Sequence, residues 1–453
     1  MRKIHFNAFD MNCVGHIQQG LWTHPRDQSH RYGELTYWMD YARRLEAGLF
    51  DGIFLADVVG INDVYGGSAD AALKGAVQVP VNDPMLLVPA MAAVTQHLGF
   101  GITANLTYEP PFLFARRIST LDHLTGGRIG WNIVTGYLDS AAKAIGLNAQ
   151  AAHDDRYDLA DEYMDIVYAL WEGSWADDAV RFDRATGVYA DPARVQKIQH
   201  AGKQYRLDAM HLCEPSPQRT PVLYQAGSST RGREFAATHA ECVFVNGQKL
   251  DGVKAIVDDI RSRAIGCGRQ ADDIKVFLGA TIVTGRTEKE AWEKFEDYRR
   301  HVSSEAALVH AAASLGIDFA RYDLDEPIET GKSSAIISNV EAMTRSAGPQ
   351  WTKRKLLDQM VLGSRQAPMV GSAEQIADQL AAWVENASID GFNLSRTVVP
   401  ECFEDIIGLV IPILQERGLY KTAYEPGTLR DKLFGASRLP NRHIAKRHRF
   451  GEP

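Results

Sequence analysis

The chain reads as an α/β protein built on a (β/α)8 barrel, and two observations predict it. Eight short, near-continuously apolar runs recur along the 453 residues, the pattern of parallel strands buried on both faces. Segments of helical period separate them, so the order is that of βαβ units. Eight such runs favour a closed barrel over an open, doubly wound sheet.

The runs are "IHFNAF" (4–9), "GIFLAD" (52–57), "GFGITAN" (99–105), "RIGWNIV" (128–134), "PVLYQAG" (221–227), "CVFVNG" (242–247), "IKVFLGATIV" (274–283) and "GFNLSRTVV" (391–399). Stretches such as "ELTYWMDYARRLEAG", "PMLLVPAMAAVTQHL" and "SAEQIADQLAAWVENA" supply the helices. Three intervals, near 60–80, 172–220 and 300–370, exceed ordinary βα connections and are expected to be insertions that roof a site. There is no internal repeat and no low-complexity linker. The expectation is one elaborated domain over 1–453, with a C-terminal extension at 420–453.

A net charge of −8 and a pI near 6.0 argue against a nucleic-acid or anionic-membrane partner. The basic end "RLPNRHIAKRHRF" is expected to pack on an acidic surface or to be solvated. No window approaches the ~18 uninterrupted apolar residues of a membrane span, and the N-terminus has no secretory pattern. Five cysteines without a C-x-x-C pair fit a reducing compartment, hence a cytoplasmic protein.

Barrel chemistry sits at the C-terminal strand ends, and polar residues gather there. The first run leads to Cys13 and His16, the second ends at Asp57, the third carries Thr103, and the fourth carries Asn132 and ends at Thr135-Gly136-Tyr137. A carboxylate ending an apolar strand is costly unless it is hydrogen-bonded or functional, which singles out Asp57. Cys13 and His16 fit a nucleophile and base, or a small buried hydrophobe beside an unrelated ring. Gly227, Ser228 and Ser229 precede a helix beginning near Arg233, which fits a phosphate cradle of free N–H groups and hydroxyls or an ordinary N-cap. Tyr157 falls on the apolar face of "HDDRYDLADEYMDIVYALWEGSW", as a core aromatic or a rim hydroxyl. The segment "ETGKSS" ends like a phosphate-binding loop, yet Glu326 stands where its first glycine is required, and no metal-ligand spacing is present. Without a clear nucleophile or metal, a phosphate-bearing cofactor is the natural carrier of hard chemistry.

The blocks "GRIGWNIVTGYLDSAAKAIGL", "HDDRYDLADEYMDIVYALWEGSWADDAV", "HLCEPSPQRTPVLYQAGSSTRGREFAA" and "IDGFNL" resemble the bacterial luciferase-like flavin monooxygenases of the nitrilotriacetate/dibenzothiophene-sulfone branch, in order and over nearly the whole chain. The resemblance implies a TIM barrel with insertions and a two-component enzyme. A separate NAD(P)H:flavin reductase supplies FMN as FMNH2, oxygen adds at flavin C4a, and the hydroperoxide passes one oxygen atom to a small, largely apolar substrate, alkane-like or organosulfur. It also implies a homodimer or homotetramer. The family's flavin contacts map onto Asp57, Thr103, Gly136, Tyr137, His153, Tyr157, Ala226, Gly227, Ser228 and Ser229. Cys13, His16, Gln78 and His310 map onto the reacting side. Asn62, Gly136 and Tyr137 depart from the branch's alkane-oxidising members, so that substrate is not carried over. Two other readings share the fold: a deazaflavin-dependent hydride-transfer enzyme of the same superfamily, and a barrel lyase or isomerase holding a substrate phosphate.

Overall fold

The computed structural model describes residues 3–227, 229–328, 351–364 and 366–451. All eight apolar runs become staves of one barrel. The first four are β1 (His5–Met11), β2 (Gly52–Ala56), β3 (Gly99–Asn105) and β4 (Ile129–Val134). The 172–220 insertion then forms two exposed antiparallel hairpins, β5 (Val180–Asp183) with β6 (Val188–Ala190) and β7 (Ile198–Ala201) with β8 (Arg206–Ala209). Four further staves follow, β9 (Val222–Gln225), β10 (Cys242–Val245), β11 (Lys275–Gly285) and β13 (Gly391–Ser395), with a short β12 (Met369–Ser372) pairing only with the far end of β11. The spatial order β1-β2-β3-β4-β9-β10-β11-β13 returns to β1, with every pair parallel.

Aromatic side chains fill the barrel's interior. Phe54 and Phe244 approach to 4.3 Å between ring centroids, and Tyr224 stacks on Phe244 at 5.6 Å. Glycine makes room for them: a Cβ on Gly101 would lie 2.6 Å from the Phe54 ring, and one on Gly130 would lie 2.4 Å from Tyr224. That accounts for the alternation around Trp131, in which the glycine faces a partner ring while the tryptophan packs outward among the helices.

The C-terminal extension supplies the floor. Leu429 and Leu433 join the interior aromatic cluster, and Leu429 N–H donates to Gly127 O at the N-terminal edge of the barrel. Beside them Arg430, 1% exposed, pairs with Glu241 at 2.7 Å and donates to the carbonyls of Thr220 and Pro221. The basic end packs on acids, as Arg438 pairs with Glu172 at 2.6 Å and Arg442 with Asp273 at 2.5 Å.

One helix expectation is only partly met. The segment 84–98 gives a single 3-10 turn (Pro84–Leu87) and a short α-helix (Val88–Ala92). Pro89 lacks the N–H that would extend one helix through both, so the helix starts afresh there. Among the described residues no helix is long and apolar enough to cross a membrane.

Candidate active site

A cavity of about 230 Å³ opens at the C-terminal end of β2, β3, β4 and β9, opposite the floor. Asp57, Gly136, Tyr137, His153, Tyr157, Ala226, Gly227 and Ser229 all line it, together with the apolar Val58, Val59, Ile133, Leu138 and Phe235. Ser228 lies outside the described residues.

The turn after β4 answers why that strand stops at Thr135-Gly136-Tyr137. Gly136 adopts a φ of 70°, and a Cβ there would lie 2.4 Å from Asn105 Nδ2 and 2.9 Å from the Tyr108 hydroxyl. Only glycine accepts both the conformation and the crowding. Asn132 reaches Thr103 instead of the cavity: its Nδ2 donates to Thr103 Oγ1 at 2.9 Å and ties β4 to β3. Thr103 is thus a buried strand-to-strand contact and does not line the cavity.

Two helix starts converge on one wall. Ser229 is the N-cap of helix Thr230–His239, its Oγ accepting from Gly232 N at 3.0 Å. The N-cap reading of that residue therefore holds, and the same residue lines the cavity. The Gly227 N–H is not free as expected, because it donates to Gln225 Oε1 at 2.8 Å. His153 opens helix His153–Tyr168 and lies 3.3 Å from Ser229 Oγ. Tyr157, one turn on, packs 5.5 Å from Phe235 beneath the Arg231 guanidinium.

Sequence reasoning missed Arg156. It lines the cavity at 3% exposure and donates from Nη1 to Ala151 O at 2.8 Å. Its Nε is buried with no hydrogen-bond partner, and no carboxylate pairs with it among the described residues. A buried unpaired guanidinium is expensive, and burial pulls its pKa down. The signal in the sequence was a cation in a helix's first turns, where the dipole prefers anions.

Asp57 lines the cavity from the end of β2. Burial, reinforced by the nearby Asp83, pushes its carboxyl up to about 7 against a hydrogen bond from Val58. It therefore exchanges its proton near neutrality.

Cys13, His16, Gln78 and His310 do not line this cavity. They form a second group at the barrel mouth. Cys13 is 1% exposed with its Sγ donating to Gly15 O at 3.1 Å, and burial pushes its thiol up to about 12. His16 is held well below the usual imidazole range by burial, Arg396 and His310, and its Nδ1 is buried without a partner among the described residues. Gln78, at a φ of 54°, directs Nε2 to His16 O at 3.5 Å and accepts from Asn62 Nδ2 at 3.5 Å. Arg396, also unforeseen, pairs with Asp10 at 2.5 Å and donates to the carbonyls of Cys13 at 3.1 Å and Val14 at 2.6 Å. His310 lies on helix Ser304–Leu315, part of the predicted roof.

His24, Asp297 and His301 also come close together. His24 Nδ1 accepts from Arg26 N at 3.2 Å, so Nε2 carries the proton facing Asp297 at 3.0 Å. Arg26 and Arg300 share that carboxylate, and the group is an ionic clasp.

A closed parallel barrel with a cavity at its C-terminal rim is the architecture of a (β/α)8-barrel enzyme. A family model for luciferase-like monooxygenases matches residues 17–391, and the chain belongs to that family. It is 51% identical over 450 residues to the long-chain alkane monooxygenase of Geobacillus thermodenitrificans (strain NG80-2), covering 99% of this chain and 98% of that protein. It is 46% identical over 451 residues to the dimethyl-sulfide monooxygenase of Hyphomicrobium sulfonivorans, covering 99% and 94%. A crystal structure of long-chain alkane monooxygenase superposes with a TM-score of 0.93 at 49% identity, covering 99% of this chain and 100% of that one.

Proposed function

We propose that the chain is the oxygenase of a two-component system. It takes FMNH2 from a separate NAD(P)H:flavin reductase and uses O2 to oxygenate a small, largely apolar molecule, alkane-like or organosulfur. The observation that carries the cofactor assignment is Arg156, a buried guanidinium with no carboxylate paired to it among the described residues, in a wall made of two helix N-termini. A phosphate monoester supplies the missing charge. Arg156, Tyr157, His153, Ser229 and the Ala226-Gly227 turn would hold that end, with Asp57, Gly136 and Tyr137 along the rest of the cavity.

Reduced flavin, when bound, supplies the two electrons that divide O2 between product and water. The protein contributes enclosure and placed protons. Helix Ser304–Leu315 packs Ala313 against Leu138 of the cavity lining, which suits exclusion of water. Cys13 is a neutral thiol and forms no covalent bond to substrate. His16 stays neutral with Nδ1 open to a hydrogen bond at the reacting side. Asp57 holds a proton that it releases near neutrality. Apolar lining from Val58, Val59, Ile133 and Leu138 supports the substrate class.

Family membership supports a cytoplasmic homodimer or homotetramer. Exposed Leu86, Leu113, Leu124, Met210 and Leu212 offer apolar surface for such contacts.

The test adds oxygenated buffer to protein premixed anaerobically with FMNH2 and a panel of alkanes and sulfides. Protein-dependent oxygenated product and flavin oxidation slower than in free solution are expected. Flavin oxidation at the free rate with no product from any substrate overturns the proposal.

A further inference from the structure

Gln225 closes β9 at 3% exposure with both ends of its carboxamide engaged. The Gly227 N–H can only donate, so the atom 2.8 Å away must be the carbonyl Oε1. That fixes the orientation of the amide and turns Nε2 toward the Tyr157 hydroxyl at 3.4 Å. The phenol oxygen therefore accepts a hydrogen bond from Gln225, which leaves its own O–H for another acceptor. The surroundings are cut to fit this arrangement. A Cβ on Gly227 would stand 2.2 Å from Gln225 Nε2, and one on Gly232 would stand 2.9 Å from the Tyr157 hydroxyl. Arg231, paired with Asp158 at 3.2 Å and Asp161 at 2.5 Å, covers the Tyr157 ring from the other side.

We propose that Gln225 is a positioning residue for the anion end of the site, an inference that rests on the FMN reading above. One side chain pins the turn after β9 through the Gly227 amide and sets the polarity of the Tyr157 hydroxyl, so that this phenol donates to a phosphate oxygen. It acts through these two groups. It therefore governs affinity for the phosphate and leaves the cavity's affinity for the rest of the flavin alone.

The experiment compares FMN with riboflavin, which lacks the phosphate, on the intact protein and on Gln225→Met and Gln225→Glu, by flavin fluorescence titration alongside melting temperature. Methionine keeps the volume and removes both hydrogen bonds. Glutamate keeps the acceptor for Gly227 and replaces the donor to Tyr157. For Gln225→Met, FMN binding weaker by about tenfold is expected, the size of losing two hydrogen bonds near an anion. Riboflavin binding should stay at the wild-type value, while melting temperature falls by only about a few degrees, the cost of the two lost hydrogen bonds. Gln225→Glu should weaken FMN further, by placing a carboxylate near the phosphate. FMN affinity within twofold of wild type in Gln225→Met overturns the proposal, as does an equal loss for both flavins, which marks a role in cavity shape only. A wild-type protein that binds FMN and riboflavin equally removes the phosphate placement itself, and the inference falls with it.

Discussion

His153 Nε2 lies 3.3 Å from Ser229 Oγ, joining the first residue of one helix to the N-cap of another across a single cavity wall. His153 Nδ1 also faces the Asp154 carboxylate at 2.8 Å, so the ring is tethered through both nitrogens. Two helix dipoles thus direct their positive ends at one place, with the Arg156 guanidinium beside them.

Replacing that guanidinium should remove most of the anion affinity. Arg156→Met is expected to weaken FMN binding by roughly 10- to 100-fold, the range for one or two hydrogen bonds to a charged group. Fluorescence titration reads this directly. Affinity within twofold of wild type would place the phosphate elsewhere.

Asp57 makes stability depend on pH in a defined direction. Its carboxyl titrates near 7 when folded against an ordinary 3.8, so between those values the folded protein holds a proton that the unfolded chain has released. Stability contributed by this group is full at acidic pH and declines as pH rises, with no further loss above about 7. Asp57→Asn cannot titrate there. Its melting temperature relative to wild type should therefore climb from pH 5 to pH 7 and then level off. Asp10, pushed up to about 6, titrates in both proteins and cancels in the difference. A constant difference across pH would contradict the assignment.

The Cys13 thiol, pushed up to about 12 in a site only 1% exposed, should be inert in the native protein. Iodoacetamide at pH 8 is expected to label the exposed Cys267 and spare Cys13, with peptide mass spectrometry as the readout. Cys13→Ala should leave FMN affinity unchanged and lower product formed per O2 consumed. Unchanged coupling would remove Cys13 from the reacting side.

Arg430 and Glu241 form a pair that is buried on both sides, at 1% and 4% side-chain exposure. Arg430→Met strands the carboxylate, a loss on the order of 3 kcal/mol. A lower urea midpoint with an unchanged slope is the expected result.

The barrel was legible because parallel staves buried on both faces cannot disguise their composition. "CVFVNG" and "GIFLAD" have no alternative that satisfies so many adjacent apolar side chains. The rim was legible for a related reason, since Asp57 and the Gly136 turn interrupt that composition abruptly. Arg156 was hidden because an arginine among Asp154, Asp155 and Asp158 reads as one more solvated charge. Its burial comes from where helix His153–Tyr168 docks. Gln225 and Arg396 were hidden because each makes a defining contact with a residue remote in sequence, Gln225 with Tyr157 and Arg396 with Cys13. Arg396 meets Cys13 across 383 positions, a proximity that only barrel closure between β13 and β1 creates. The separation of Cys13 and His16 from the lined cavity likewise depends on loop geometry that spacing does not carry.

The floor helix Leu429–Phe434 has a consequence for how the protein is made. A ribosome delivers β1 first, yet the stave that seals its open edge is Gly391–Ser395, and the cover for the interior rings follows later still. For most of its synthesis the nascent chain is an unsealed ring, with a strand edge and apolar rings that chaperones must shield. A premature stop just before Leu429 would spare every residue of the cavity wall and still release a bottomless cylinder for the cell's proteases to clear.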